Sequence, residues 1–193
     1  MARRLWPRFV ASFLAVSAAA WGETWQIDPG QTAAHFAVRH LVLATVRGAF
    51  AKVSGTVEYD PANPAKTSID VTIDAASVDS RLEARDDDLR GPGMLDVAKY
   101  PALAFRSKRT ESVEKGKLKV TGDLTIHGVT KEIVLDVEGP AGPINDPRGV
   151  AHMGASATTR INRKDFGVSG FPGLVGDDVA ITIDVELVKS AGR

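Results

Sequence analysis

The sequence predicts an all-β protein, an antiparallel barrel of roughly eight strands with one short helical insertion. Three observations carry that prediction. Apolar residues recur at every second position through most of the chain, the period of a strand with one buried face. No helical pattern stands between successive strands, so the crossovers of a parallel sheet are missing and an antiparallel sandwich or barrel remains. The strands are long and evenly amphipathic, which favours a barrel, because closure removes exposed edges.

The chain opens on "MARRLWPR", with Arg3, Arg4 and Arg8, followed by the apolar run "FVASFLAVSAAA". Ala18, Ala19 and Ala20 offer an Ala-x-Ala cleavage site, so residues 1–20 read as a secretory signal peptide with Trp21 at or near the mature terminus. A retained N-terminal anchor is the alternative, although a dozen apolar residues span a bilayer poorly. Residues 21–193 then form one domain of 173 residues, enough for a sizeable core. Its 21 basic and 24 acidic side chains give a formal charge of −3, with no basic patch to recruit nucleic acid. Cysteine is absent, which removes disulfides, thiol catalysis and thiolate metal sites. Stability must come from packing and backbone pairing. An exported protein of this kind is expected in the periplasm.

The strands follow in order. "AHFAVRHLVL" and "VRGAFAKVSGTVEY" are long strands linked near Ala44–Thr45. Gly48 and Gly55 lie inside the second, where glycine marks a bend or bulge. "TSIDVTIDA" turns Ile69, Val71 and Ile73 inward. "YPALAFRSKRT" and "KLKVTGDL" pair across the turn Glu114–Gly116. "KEIVLDVEG" buries Ile133, Leu135 and Val137. "DVAITIDVELVK" is the clearest case, with Val179, Ile181, Ile183, Val185 and Leu187 on one face.

Two stretches break the alternation. In "SVDSRLEARDDDLRGPGMLDVAKYP", Ser80 and Glu83 form a capping-box spacing for a short helix, Leu82 and Leu89 are its anchors, and Gly91-Pro92-Gly93 ends it. The run Asp86–Asp88 reads as a solvated face, with no Asp-x-Asp-x-Asp-Gly calcium loop, and Arg85 is placed to fork onto a carboxylate. The second irregular stretch is Gly139–Gly149.

A search for chemistry yields little. His35 and His40 stand five apart in a strand and face opposite ways, so they do not share a metal without a bulge. His40 falls with Phe36, Val38 and Val42 on one face, either as a hydrogen-bonded core histidine or as a polar point on a lumen wall. His127 and His152 are distant. Arg163-Lys164-Asp165 precede Phe166, which with Phe171 is placed to pack at a barrel mouth. The Asp-Phe-Gly here has no kinase context, and neither a phosphate-binding glycine loop nor a nucleophile elbow is present.

Taken together, the blocks "WQIDPGQTAAHFAVRHL", "VRGAFAKVSGTVEYDP", "IDVTIDAASVDS", "RDDDL", "MLDVAKYPALAFRS", "VTGDLTIHGVTKEIVLDVE", "INRKDFGV" and "VGDDVAITIDVELVK" cover residues 25 to 188. In their order and spacing the chain resembles the YceI-like family of exported, lipocalin-like proteins. The resemblance implies an extended eight-stranded lipocalin-like barrel holding a long-chain apolar lipid, a polyisoprenoid or quinone-like molecule, and no enzymatic activity. His35 and His40 match the family's two histidines near the first strand. Three positions depart from it. Asp88 stands where histidine usually precedes Leu89, Met94 and Leu95 replace an aromatic pair, and Arg148 replaces a tryptophan after Pro147. These bear on the mouth and the ligand head group, not on the barrel.

The leading reading is a periplasmic carrier with Phe36, Val38, His40, Val42, Ile133, Leu135, Phe166, Phe171 and Ile183 at its lumen or mouth and no metal or resident cofactor. The alternatives are an enzyme on an apolar substrate with His40 as acid or base, and a binding module for a quinone-handling membrane partner. A transient membrane-protein donor or acceptor follows from the carrier reading, and an exposed edge or apolar mouth leaves a homodimer open.

Overall fold

The computed structural model describes residues 22–190. The signal peptide expected at 1–20 and the terminus expected at Trp21 lie outside them. Eleven strands form one antiparallel sheet: β1 (Glu23–Ile27), β2 (Ala33–His40), β3 (Ala44–Phe50), β4 (Val53–Tyr59), β5 (Ser68–Asp74), β6 (Val78–Asp79), β7 (Ala102–Glu114), β8 (Lys117–Ile126), β9 (Val129–Asn145), β10 (Ala151–Asn162) and β11 (Val175–Lys189). One helix, α1 (Glu83–Arg90), interrupts them.

The sheet closes. Strands run β1-β4-β5-β7-β8-β9-β10-β11 and return to β1, an eight-stranded barrel. β11 explains why eleven segments make eight staves. It pairs with β2 between Val175 and Asp184 and with β1 between Leu187 and Lys189. β1 and β2 are therefore successive parts of one stave, and β3 and β4 of the next, since β2 pairs with β3 and β1 with β4. β6 continues the third stave beyond β5 but pairs only with the end of β3. Among the described residues no strand lies on its other side. There the wall is completed by α1 and the segment after it, with Met94 buried and Leu89 and Leu95 packed against the core.

Most of the expected strands stand where alternation put them, although the run 46–59 expected as one strand divides into β3 and β4, and five further details differ. The link between β2 and β3 is Leu41–Leu43 rather than Ala44–Thr45, because Leu41 and Val42 take left-handed backbone angles and end the extended run at His40. β9 continues through the stretch expected to be irregular, to Asn145. Beyond Glu138 it has β10 alone as partner, so Pro140 and Pro143 forfeit no ladder bond on the open side. Leu82 is exposed and anchors nothing. Ser80 does not cap α1. Its N–H and Oγ both donate to Asp86 Oδ1, at 2.8 and 2.5 Å, while Arg85 donates from Nε to Ser80 Oγ (2.7 Å) and from Nη2 to Ser80 O (2.6 Å). Asp86 is only 3 % exposed, so one member of the acidic run is a buried pin and not part of a solvated face. Asp87 and Asp88 remain outside.

Phenylalanines lie across glycines on neighbouring strands. Phe36 sits opposite Gly48, and the Phe105 ring covers Gly122. A Cβ at Gly122 would stand 2.5 Å from the Arg106 carbonyl and 2.6 Å from the Phe105 ring, and the carbonyl has no room to yield. Gly122→Val is therefore expected to destabilise the barrel by about 1–3 kcal/mol. Urea unfolding checks this as a lower midpoint with an unchanged slope.

Candidate ligand-binding cavity

Inward side chains of the barrel border an internal cavity of about 240 Å³. β11 contributes Val175, Val179, Ile181, Ile183, Val185 and Leu187 along its length. Facing it are Ile133, Leu135 and Val137 of β9, Leu118, Val120, Leu124 and Ile126 of β8, and Ile69, Val71 and Ile73 of β5. Ala34, Phe36 and Val38 come from β2, Leu103 and Phe105 from β7, and Leu89, Met94 and Leu95 from the insertion. The cavity wall follows β11 from residue 175 to 187, about 40 Å along the strand. The lumen is thus long-walled and apolar, suited to an apolar ligand.

The hollow leaves a mark on burial. Val179, Ile181, Ile183 and Val185 point inward yet are only half-buried, as are Ile69, Val71, Ile73 and Ile133. Other residues of the same wall are more enclosed, Val120 among them at 0 % exposed.

Several polar groups on this wall are already engaged, although His35, Tyr59 and Ser156, which also border the cavity, make no side-chain hydrogen bond among the described residues. Thr67 Oγ1 donates to the Pro64 carbonyl (2.7 Å) and Thr159 Oγ1 to that of Val134 (2.8 Å). Arg163, 4 % exposed, is the one charged side chain among the lining residues. Its Nε donates to Gly176 O (3.0 Å), Nη1 to Val168 O (3.0 Å) and Gly170 O (2.8 Å), and Nη2 to Val175 O (3.1 Å) and Asp177 Oδ1 (3.4 Å). Each guanidinium nitrogen is committed to the loop 167–177, and none is turned to a guest. Arg163 thus folds this loop across one end of the tunnel. Lys164, hydrogen-bonded to Asp177 at 2.8 Å, holds that carboxyl below its ordinary 3.8 against the opposing effect of burial, and Arg163 adds to the lowering.

Six of the residues expected at the site line the cavity: Phe36, Val38, Ile133, Leu135, Phe166 and Ile183. His40, Val42 and Phe171 are not among the lining residues. His40 is half-buried at the last position of β2, Val42 is in the turn beyond it, and Phe171 is at the crest of the Arg163-held loop. The four histidines are scattered. His35 is exposed on β2 and also borders the cavity, and His127 lies against Tyr100 with ring centroids 4.6 Å apart. His152 Nδ1 contacts Glu186 Oε1 at 2.7 Å on the barrel's outer side. Among the described residues no three metal-ligating side chains are gathered. Sequence reasoning missed the wall of β8, although "KLKVTGDLTI" carries the signal in Leu118, Val120, Leu124 and Ile126. It also missed the contribution of Phe105.

A closed antiparallel barrel around an apolar lumen defines the class: a lipocalin-like protein whose interior suits an apolar ligand. Residues 25–187 match the YceI-like domain, and the chain belongs to that family. A UPF0312 protein of Vibrio cholerae serotype O1 is 39 % identical over 163 residues, covering 82 % of this chain and 85 % of the relative. The crystal structure of BcnA from Burkholderia cenocepacia superposes with a TM-score of 0.74 at 27 % identity, over 83 % of this chain and 98 % of that one. A polyisoprenoid binding domain from Saccharophagus degradans shares the fold, with a TM-score of 0.64 at 13 % identity over 86 % and 98 % of the two chains.

Lysine cannot replace Arg163, because three donors on one nitrogen do not reach acceptors spread around a planar fork. Arg163→Lys is expected to cost about 2 kcal/mol or more through orphaned carbonyls, and limited proteolysis should cut the 167–177 loop faster than in the parent. Asp177 has a lowered folded-state pKa, so its contribution is present above 3.8 and lost as pH falls through the lowered value. Loop protection measured by hydrogen exchange should therefore hold from pH 7 to 5 and decline only below about pH 4.

Proposed function

We propose that this protein is a periplasmic carrier that holds a long isoprenoid or quinone-like lipid, tail inward, in the barrel tunnel. The observation that carries the reading is the apolar lumen, whose one charged lining side chain, Arg163, is already taken. A buried carboxylate or phosphate on the guest would require a partner, and the Arg163 guanidinium is spent on its own loop. The guest is then neutral along its enclosed length, with any polar head at an end of the tunnel. Each enclosed methylene contributes about 0.8 kcal/mol, and a preformed lumen limits the ordering cost on the protein side. The S. degradans domain, described as polyisoprenoid binding, supports the same chemistry. Export to the periplasm rests on the signal peptide read at residues 1–20. His40, the acid–base candidate of the enzyme alternative, does not border the cavity, whereas His35 does.

Solvent extraction of protein purified from its own cell envelope, followed by mass spectrometry, is expected to release a neutral isoprenoid chain in near-stoichiometric amount. Ala157 is a small lining residue of β10, only 8 % exposed. Ala157→Phe should obstruct the tunnel and reduce extracted lipid by about tenfold or more, equivalent to 1.4 kcal/mol or more of binding, with the circular dichroism of the barrel retained. Equal lipid in parent and variant would remove the tunnel as the binding place.

A further inference from the structure

The exposed apolar side chains of this barrel are unevenly placed. Val113 and Ile144 stand singly on separate elements at the pole where Lys117 pairs with Glu138. At the other pole two turns meet. Leu41, Val42 and Leu43 are 45 %, 80 % and 83 % exposed, and Phe171 and Leu174 are 42 % and 46 % exposed beside them. The Leu41 N–H donates to Leu174 O at 2.8 Å, which joins the two turns into one surface. We propose that this double turn is a membrane-docking tip that enters the interfacial layer of a lipid bilayer containing anionic phospholipid. The proposal rests on the carrier reading only for its purpose, since a lipid guest must be taken from or given to a bilayer.

Three features favour a bilayer as the occupant. First, much of the backbone of both turns is bonded within the tip. Leu43 N–H donates to His40 O (3.1 Å), Leu174 N–H and Val175 N–H donate to Phe171 O (3.2 and 3.1 Å), and the Arg39 guanidinium donates to Val42 O. Segments so paired carry fewer open polar groups into an interfacial layer than an open strand edge does. Second, no acidic or basic residue occurs between His40 and Arg47 or between Phe166 and Asp177, while Arg39 and Arg47 stand exposed just behind the tip, where phosphate head groups would meet them. Asp177, the nearest carboxylate on the second turn, is already held by Lys164 and Arg163. Third, the tip is continuous with the tunnel, because Val38, Val168 and Val175 line the cavity immediately behind it. Glu23 and Lys189 lie at the opposite end of β11, about 45 Å along the strand, so neither end of the described chain covers the tip.

Flotation of the purified protein with vesicles of phosphatidylethanolamine and phosphatidylglycerol tests this. The parent is expected to float. The double variant Val42→Asp/Leu43→Asp should lose about tenfold or more of its partitioning, and Ile144→Asp, at the far pole, should float like the parent. Both variants change exposed residues, and their lipid content is measured alongside. A parent that stays in the dense fraction while still carrying extractable lipid overturns the docking tip and leaves the carrier reading standing. A parent that floats but yields no lipid supports the tip and overturns the carrier reading. A parent dimer that Val42→Asp/Leu43→Asp dissolves, with no flotation by either, assigns the surface to a second copy and overturns the proposal.

Discussion

Everything in this protein hangs on a short seam. β1 and β11 close the ring through three residue pairs, Trp25 with Lys189, Gln26 with Val188 and Ile27 with Leu187. With no cysteine in the chain, no covalent bond backs them. The seam is held instead by what lies on either side of it. Trp25 is 2 % exposed and Leu187 likewise, so the inner face of the closure is packed, while Lys189 Nζ meets Glu23 Oε1 at 2.6 Å at the exposed rim. That surface ion pair adds little in water. Burial of the tryptophan and leucine is the larger contribution.

Closure forces a choice on the interior, and the sequence resolves it by leaving space. Eight staves enclose just enough room for side chains to fill the barrel or for a slender guest to replace some of them. Here the lining is dominated by valine, isoleucine and leucine, with the small Ala34, Ala155 and Ala157 on β2 and β10. The large aromatic residues are placed toward the ends or against glycine, as Phe36 is against Gly48. The half-buried state of inward residues on β5 and β11 follows directly.

Periodicity made the staves legible, because a period of two survives any strand curvature: Val179 to Leu187 and Ile69 to Ile73 were readable from pattern alone. Interruptions were less so. The break at Leu41–Leu43 depends on two left-handed residues that are leucine and valine, not the glycine or asparagine that would announce such a turn. β9 looked finished at Gly139 since proline speaks against a strand, yet its unpaired side tolerates Pro140 and Pro143. Asp86 and Arg163 were hidden for a different reason. A charge within a charged run carries no local sign of burial. Only the fold shows that Asp86 gathers Ser80 or that Arg163 serves carbonyls up to thirteen residues onward.

The seam has one more consequence. Because Trp25 and Lys189 are paired neighbours, the first and last strands leave the barrel side by side at one pole. A chain built this way behaves as a plug-in module. It can be spliced into a host polypeptide at a single surface loop, or have its ends stitched together and new ones opened at an exposed hairpin such as Glu114–Lys117, without disturbing the bore. The architecture is thus suited to serve as a cassette within larger assemblies as readily as alone.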